Sequence, residues 1–303
     1  MKLPKELRGM RAHKFGSMLK DSFDQWSRHR ASSKGAALAL YMIFSLAPML
    51  ILVIAVAGLF FGNDEARDQL MEQVRNFTGD SGADAIRMVL TSAQQSGRGT
   101  LAAVVSIGVL IFSATTAFAE LQASLDEMWE VDKADTEGMK EGVKGFVRTR
   151  LLAFGLVLVL ALFLLAALTF NAALAAARAY YGDVWGSSAF SILAGWLANV
   201  FSFAVLTALF AVVYKMLPSV QIGWRDVTPG AIMTAVLFLV GKWGISLYLS
   251  SGGVASSYGA AGSVIALLLW IYYSAQIFFF GAVVTRQFSE RFGTRAWHVK
   301  NAA

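Results

Sequence analysis

From Gly35 to Asn63 the chain carries no charged side chain. A helix needs about 20 apolar residues to cross the ~30 Å hydrocarbon core of a bilayer, so this stretch is long enough to span one. Five further runs have the same character, and the pattern predicts spans at about 36–61, 100–119, 151–177, 184–214, 227–250 and 262–285. None of them alternates with period 2, so helices and not barrel strands satisfy the backbone in lipid. The expected fold class is an all-α membrane protein with six transmembrane helices, forming one integral membrane domain over residues 1–303. Composition agrees: 15% of residues are charged, against about 25% in soluble domains, and the charges gather in a few short segments.

Lysine and arginine in the flanking segments give an orientation. Segment 1–34 holds nine, 120–150 five, 215–226 two and the tail after residue 285 four. The intervening segments hold four, one and none. Both termini are therefore expected on the cytoplasmic side of a bacterial inner membrane, and the net charge of +6 is read as orientation and not as nucleic-acid binding. The first 34 residues lack the apolar core of a signal peptide.

Phe15, Met18, Leu19, Phe23 and Trp26 share one helical face, which predicts an N-terminal amphipathic helix on the cytoplasmic interface. Packing of that face against the protein's own cytoplasmic segments is the alternative. Leu121, Leu125, Met128 and Trp129 form a second such face, with Asp126, Glu127 and Glu130 directed away from it. Between residues 64 and 96 the spacing predicts two short amphipathic helices broken at Thr78–Gly82. No internal repeat is evident.

The chemistry open to the chain is narrow. It has no cysteine, and His13, His29 and His298 all lie in terminal segments. The HExxH, GxSxG and P-loop patterns are absent from the sequence. No enzyme activity, cofactor or metal is expected. Candidate path or substrate contacts are polar or helix-distorting residues within the spans. Lys242 is the only basic residue inside one, where a charge costs about 2.5–3.5 kcal/mol at the helix centre. It could meet an anionic headgroup or snorkel to the interface. Glu120 closes the second span, and Asn171 and Asn199 suit interhelical hydrogen bonds. Pro48 removes a backbone hydrogen bond in mid-span, whereas Pro218 and Pro229 bracket a turn. Tyr258 lies in a glycine-rich stretch that is either a re-entrant segment or a plain loop. Trp270, Tyr273 and Gln276 follow at mid-depth, where aromatics are unusual.

Several of these residues fall in stretches with a resemblance. Ala36 to Pro48, Ser257 to Val264, Leu267 to Gln276 and Phe280 to Ala282 are similar to segments of the YihY/BrkB family of bacterial inner-membrane proteins, once labelled ribonuclease BN. Leu125 to Trp129 is a weaker match. The resemblance implies six helices with an N-terminal interfacial helix, and an association with envelope integrity and resistance to serum killing. It also implies a glutamate after the Gly281-Ala282 pair, where this chain has Val283. The expected function is transport or translocation of a lipid or other envelope-related substrate. The alternative is a non-transporting scaffold that recruits envelope partners. Expected partners are membrane lipids, with envelope proteins and a second copy of the chain left open, and no nucleic acid.

Overall fold

The computed structural model describes residues 5–96, 118–131, 187–220, 222–250 and 262–293, with scattered helical positions between 155 and 176. Every regular element among the described residues is an α-helix. They are α1 (Lys5–Arg28), α2 (Ala31–Phe61), α3 (Asn63–Ser96), α4 (118–128), α5 (Ser187–Met216), α6 (Trp224–Ser250) and α7 (Gly262–Arg291). Helices α2, α5, α6 and α7 coincide with predicted spans. The predicted spans at 100–119 and 151–177 lie largely outside the described residues.

Local chemistry sets the boundaries. Arg30, in the left-handed conformation (φ 49°), separates α1 from α2. Gly62 ends α2 at φ 91°, and its N–H donates to the Gly58 carbonyl at 2.9 Å. Gly79 takes φ 74° and ψ −176° inside α3, a backbone state that suits glycine alone. The break therefore falls within the predicted Thr78–Gly82 interval. Around it Ala66 and Leu70 pack in one cluster with Ala85, Ile86 and Leu90, so α3 doubles back on itself. Pro229 lies inside α6 and not in the turn before it, and so removes a backbone donor from that helix's second turn.

Two cores occupy opposite ends of the bundle. One joins the start of α2 (Ala31, Leu38), α4 (Leu125, Met128), the end of α5 (Tyr214) and the later half of α7 (Phe279, Val283). The other joins the end of α2 (Leu50, Val53, Ala57), both halves of α3 and Leu267 near the start of α7. Helix α1 lies across α7: Met18 is buried, the Trp26 indole N–H donates to the Gln276 carbonyl at 3.3 Å, and Asp21 pairs with Arg291. Much of the α1 apolar face is thus used within the chain, while Phe23 stays 56% exposed.

Three helical segments among the described residues are long and apolar enough to cross a membrane: Gly195–Met216, Trp224–Ile245 and Gly262–Arg291. Leu193, Trp196, Leu197 and Val200 on α5, and Val240 and Trp243 on α6, are exposed. A soluble monomer seldom shows so continuous an apolar surface, whereas lipid accepts it.

Candidate functional site

The end of the bundle that holds the start of α2 carries a buried polar junction. Arg286, one turn before the end of α7, is 7% exposed. Its guanidinium donates to Glu130 Oε2 at 2.6 Å, to Glu290 Oε1 at 2.7 Å and to the Met128 carbonyl at 3.1 Å. This use of one planar fork suits arginine and not lysine. Glu130 is itself in the left-handed conformation (φ 47°) and also faces His29, with Nε2 to Oε1 at 3.4 Å. Arg30 and Glu130 are the non-glycine residues with positive φ among the described residues. They sit beside and within the same ion-pair network, where packing and charge hold a conformation that would otherwise cost of order 1 kcal/mol or more. The Arg286 hydrogen bond holds the Glu130 carboxyl below its ordinary range. Burial opposes that shift, and the charges of Arg286 and His29 reinforce it.

The same segment makes two more ties. Lys34 Nζ meets Glu127 Oε2 at 2.6 Å. Asp126, read from the sequence as facing away from the apolar surface, is 5% exposed. It accepts from the Ser219 N–H at 2.7 Å and the Ser219 hydroxyl at 2.8 Å. Asp226, also buried, accepts from the Ser289 hydroxyl at 2.9 Å. Residues 125–131 therefore fasten the α1–α2 junction, the α5–α6 turn and the end of α7 to one another. Buried carboxylates with two charge-assisted donors are well satisfied.

Within the first of the two cores, α5, α6 and α7 meet without charge. The Tyr214 hydroxyl donates to the Phe278 carbonyl at 2.7 Å and lies 3.0 Å from Thr234 Oγ1. Gly230 faces Thr285, and Gly281 faces Thr234. These small-residue contacts let helices approach closely in lipid. Further along, Gly241 accommodates the Tyr273 ring, and Trp270 meets Phe238 edge-on with centroids 5.3 Å apart.

The candidate residues from the sequence are distributed along this frame. Trp270 and Tyr273 line the α6–α7 seam. Lys242 follows Gly241 on α6 and is half-buried. Gln276 sits where α1, α2 and α7 cross: its Nε2 donates to the Ala31 carbonyl at 3.4 Å and its side chain packs on Gly35. Its buried Oε1 accepts no hydrogen bond from the described residues. Asn199 is exposed on α5, and Glu120 is half-buried on α4, six residues before Asp126. Pro48 lies within α2, its side chain outside the described residues, as are Asn171 and Tyr258. Val283, where the resemblance implies glutamate, is fully buried in the first core. Arg286, Asp126, Asp226 and Tyr214 are not among the candidate contacts that the sequence offers. Arg286 is one of the four basic residues after residue 285, and the sequence signal that marks it is its place one helical turn after Ala282, at the end of an apolar run.

The family model described as "Virulence factor BrkB" matches residues 22–303. A UPF0761 membrane protein of Stenotrophomonas maltophilia (strain K279a) is 30% identical over 271 residues, which cover 86% of this chain and 58% of the relative. A UPF0761 membrane protein of Xanthomonas campestris pv. campestris (strain B100) is 27% identical over 251 residues, covering 81% and 54%. A protein of Bacillus subtilis (strain 168) named as ribonuclease-like, YfkH, is 22% identical over 280 residues, covering 91% and 96%. The chain thus spans little more than half the length of the first curated relatives it matches. No solved structure matches it.

Proposed function

The chain belongs to the virulence factor BrkB family, and from that premise we propose a six-span protein of the bacterial inner membrane that moves a lipid or another envelope-related amphiphile across it. The observation that carries this reading is the α6–α7 seam. There a half-buried lysine, Lys242, follows Gly241 of the close Gly241–Tyr273 contact, within stretches 227–250 and 262–285 that otherwise carry no charge. A cation within a membrane span is costly to insert, and an anionic headgroup passing along the seam would offset part of that cost. The orientation with both ends cytoplasmic is supported by the polar junction, which gathers the α1–α2 junction, residues 125–131, the α5–α6 turn and the end of α7 at one end. They belong to the alternate segments 1–34, 120–150, 215–226 and the tail, which together hold more lysine and arginine than the intervening ones.

The test is transfer of fluorescent phospholipid between leaflets of liposomes holding the purified protein, with Lys242→Ala alongside. Transfer above protein-free vesicles, slowed in the variant, supports the reading. Transfer no faster than in empty vesicles removes translocation of phospholipid, and an unchanged rate in Lys242→Ala removes the lysine from the path. Phe23, exposed on α1, favours a second reading in which this helix recruits an envelope partner. A stable crosslinked partner together with an inactive purified protein would select it. RNA cleavage is not part of either reading, and cleavage that survives repurification would oppose both.

A further inference from the structure

The two halves of α3 border an open cleft of about 370 Å³ lined by Asp64, Arg67, Asp68, Met71, Arg87 and Leu90, in which Asp64, Asp68 and Arg87 are exposed and Leu90 is buried. Its size falls within the ~300–1,000 Å³ range of small-molecule sites. Two features set it apart from an ordinary charged surface. Elsewhere on the same helix pair Arg75 and Asp80 form an ion pair at 3.0 Å. Among the described residues, the four charges of the cleft make no ion pair with one another or with a neighbour. The charges are also balanced, two guanidinium groups against two carboxylates, over apolar Met71 and Leu90.

This balance selects a ligand class. A simple anion would meet both arginines but suffer the two carboxylates, and a divalent cation would meet the reverse conflict. A molecule with a phosphate at one end and an ammonium at the other satisfies both sets at once. Arginine takes phosphate oxygens in paired hydrogen bonds, and the carboxylates take the ammonium. The short carbon link between the two ends lies over the apolar floor. We propose that the α3 cleft binds a zwitterionic phosphate–amine group of the phosphoethanolamine class, carried either on a lipid or on a soluble molecule. The proposal goes beyond the translocation reading and does not depend on it, because binding needs no transport and no contribution from Lys242.

The experiment is calorimetric titration of the full chain in detergent with O-phosphoethanolamine, inorganic phosphate and ethanolamine. A second arm uses native mass spectrometry of lipids retained from nanodiscs of phosphatidylethanolamine or phosphatidylglycerol. The variants are Arg67→Ala with Arg87→Ala, and Asp64→Asn with Asp68→Asn. Arg75→Ala on the same helix pair is the control, and circular dichroism checks the fold of each. Phosphoethanolamine, soluble or as the lipid headgroup, should bind more tightly than phosphate or ethanolamine alone. Each double variant should weaken it about tenfold or more, the effect of losing a charge-assisted hydrogen bond, with Arg75→Ala unchanged. Binding in the lipid arm alone assigns a lipid source, and binding in the soluble arm assigns the free molecule. Phosphate binding equally well and indifferent to the aspartate pair would overturn the proposal in favour of a plain anion site. Absence of binding in both arms, or binding that ignores both double variants in folded protein, would also overturn it.

Discussion

Thr234 fills the space that a side chain on Gly281 would need: a Cβ at Gly281 would collide with Thr234 Oγ1 and with the Tyr214 hydroxyl. The relation is reciprocal, because Thr285 stands in the same way over Gly230. Each threonine hydroxyl returns a 2.7 Å hydrogen bond to the glycine carbonyl four residues earlier on its own helix. The pairing of 230 with 285 and 234 with 281 makes α6 and α7 antiparallel neighbours in direct backbone approach. Gly281→Ala is expected to destabilise the protein by about 1–3 kcal/mol through overpacking. Its melting midpoint in detergent should fall, and Thr234→Ala added to it should recover part of the loss. An unchanged midpoint in the single variant would show that the two helices do not meet there.

Tyr214→Phe removes the hydroxyl that ties α5 to both α6 and α7 while keeping the ring contact with Phe278, whose centroid is 5.1 Å away. Hydrogen bonds between helices in a membrane are worth about 0.6 kcal/mol on average and up to ~1.7. A loss near the upper end is expected, because the Phe278 carbonyl is left without this donor. Urea or thermal unfolding in detergent reads it, and a gain in stability would contradict the assignment.

Acid should loosen the polar junction. The Glu130 carboxyl is held low by Arg286, so the stabilisation it provides is complete above the unfolded carboxylate value of about 4.3 and is lost as pH falls through the lower folded value. Melting midpoints of the native chain are expected to be flat from neutral pH down to that range and to drop below it. Glu130→Gln should start lower at neutral pH and show a shallower acid drop. Parallel curves for the two proteins would mean that Glu130 does not contribute to the pH dependence.

Asp126→Asn keeps the size of the side chain and takes away its charge. Both Ser219 hydrogen bonds weaken, and hydrogen bonds to charged groups are worth about 1.5–3 kcal/mol. The α5–α6 turn should then be cut faster by limited proteolysis at residues 217–223, while Asp64→Asn on α3 should leave that rate unchanged.

What the sequence determined by itself is the set of helices. Uncharged runs such as Gly35–Asn63 must satisfy their backbone internally, so length and composition alone locate α2, α5, α6 and α7. The break near Gly79 was legible for the same local reason, because spacing on either side of it requires two helices and glycine permits the reversal. Partner choice was not legible. Asp126 reads as a solvated residue on its own helix, and only the approach of Ser219, distant in sequence, makes it a buried acceptor. Arg286 looks like a topology marker until Met128 and Glu130 are folded against it. Gly281 and Thr234 are unremarkable apart, and their meaning lies in interlocking across two helices. Periodicity along one helix records which face is apolar, whereas the pairing of faces depends on shape and charge brought together from separate segments, and that only the tertiary structure decided.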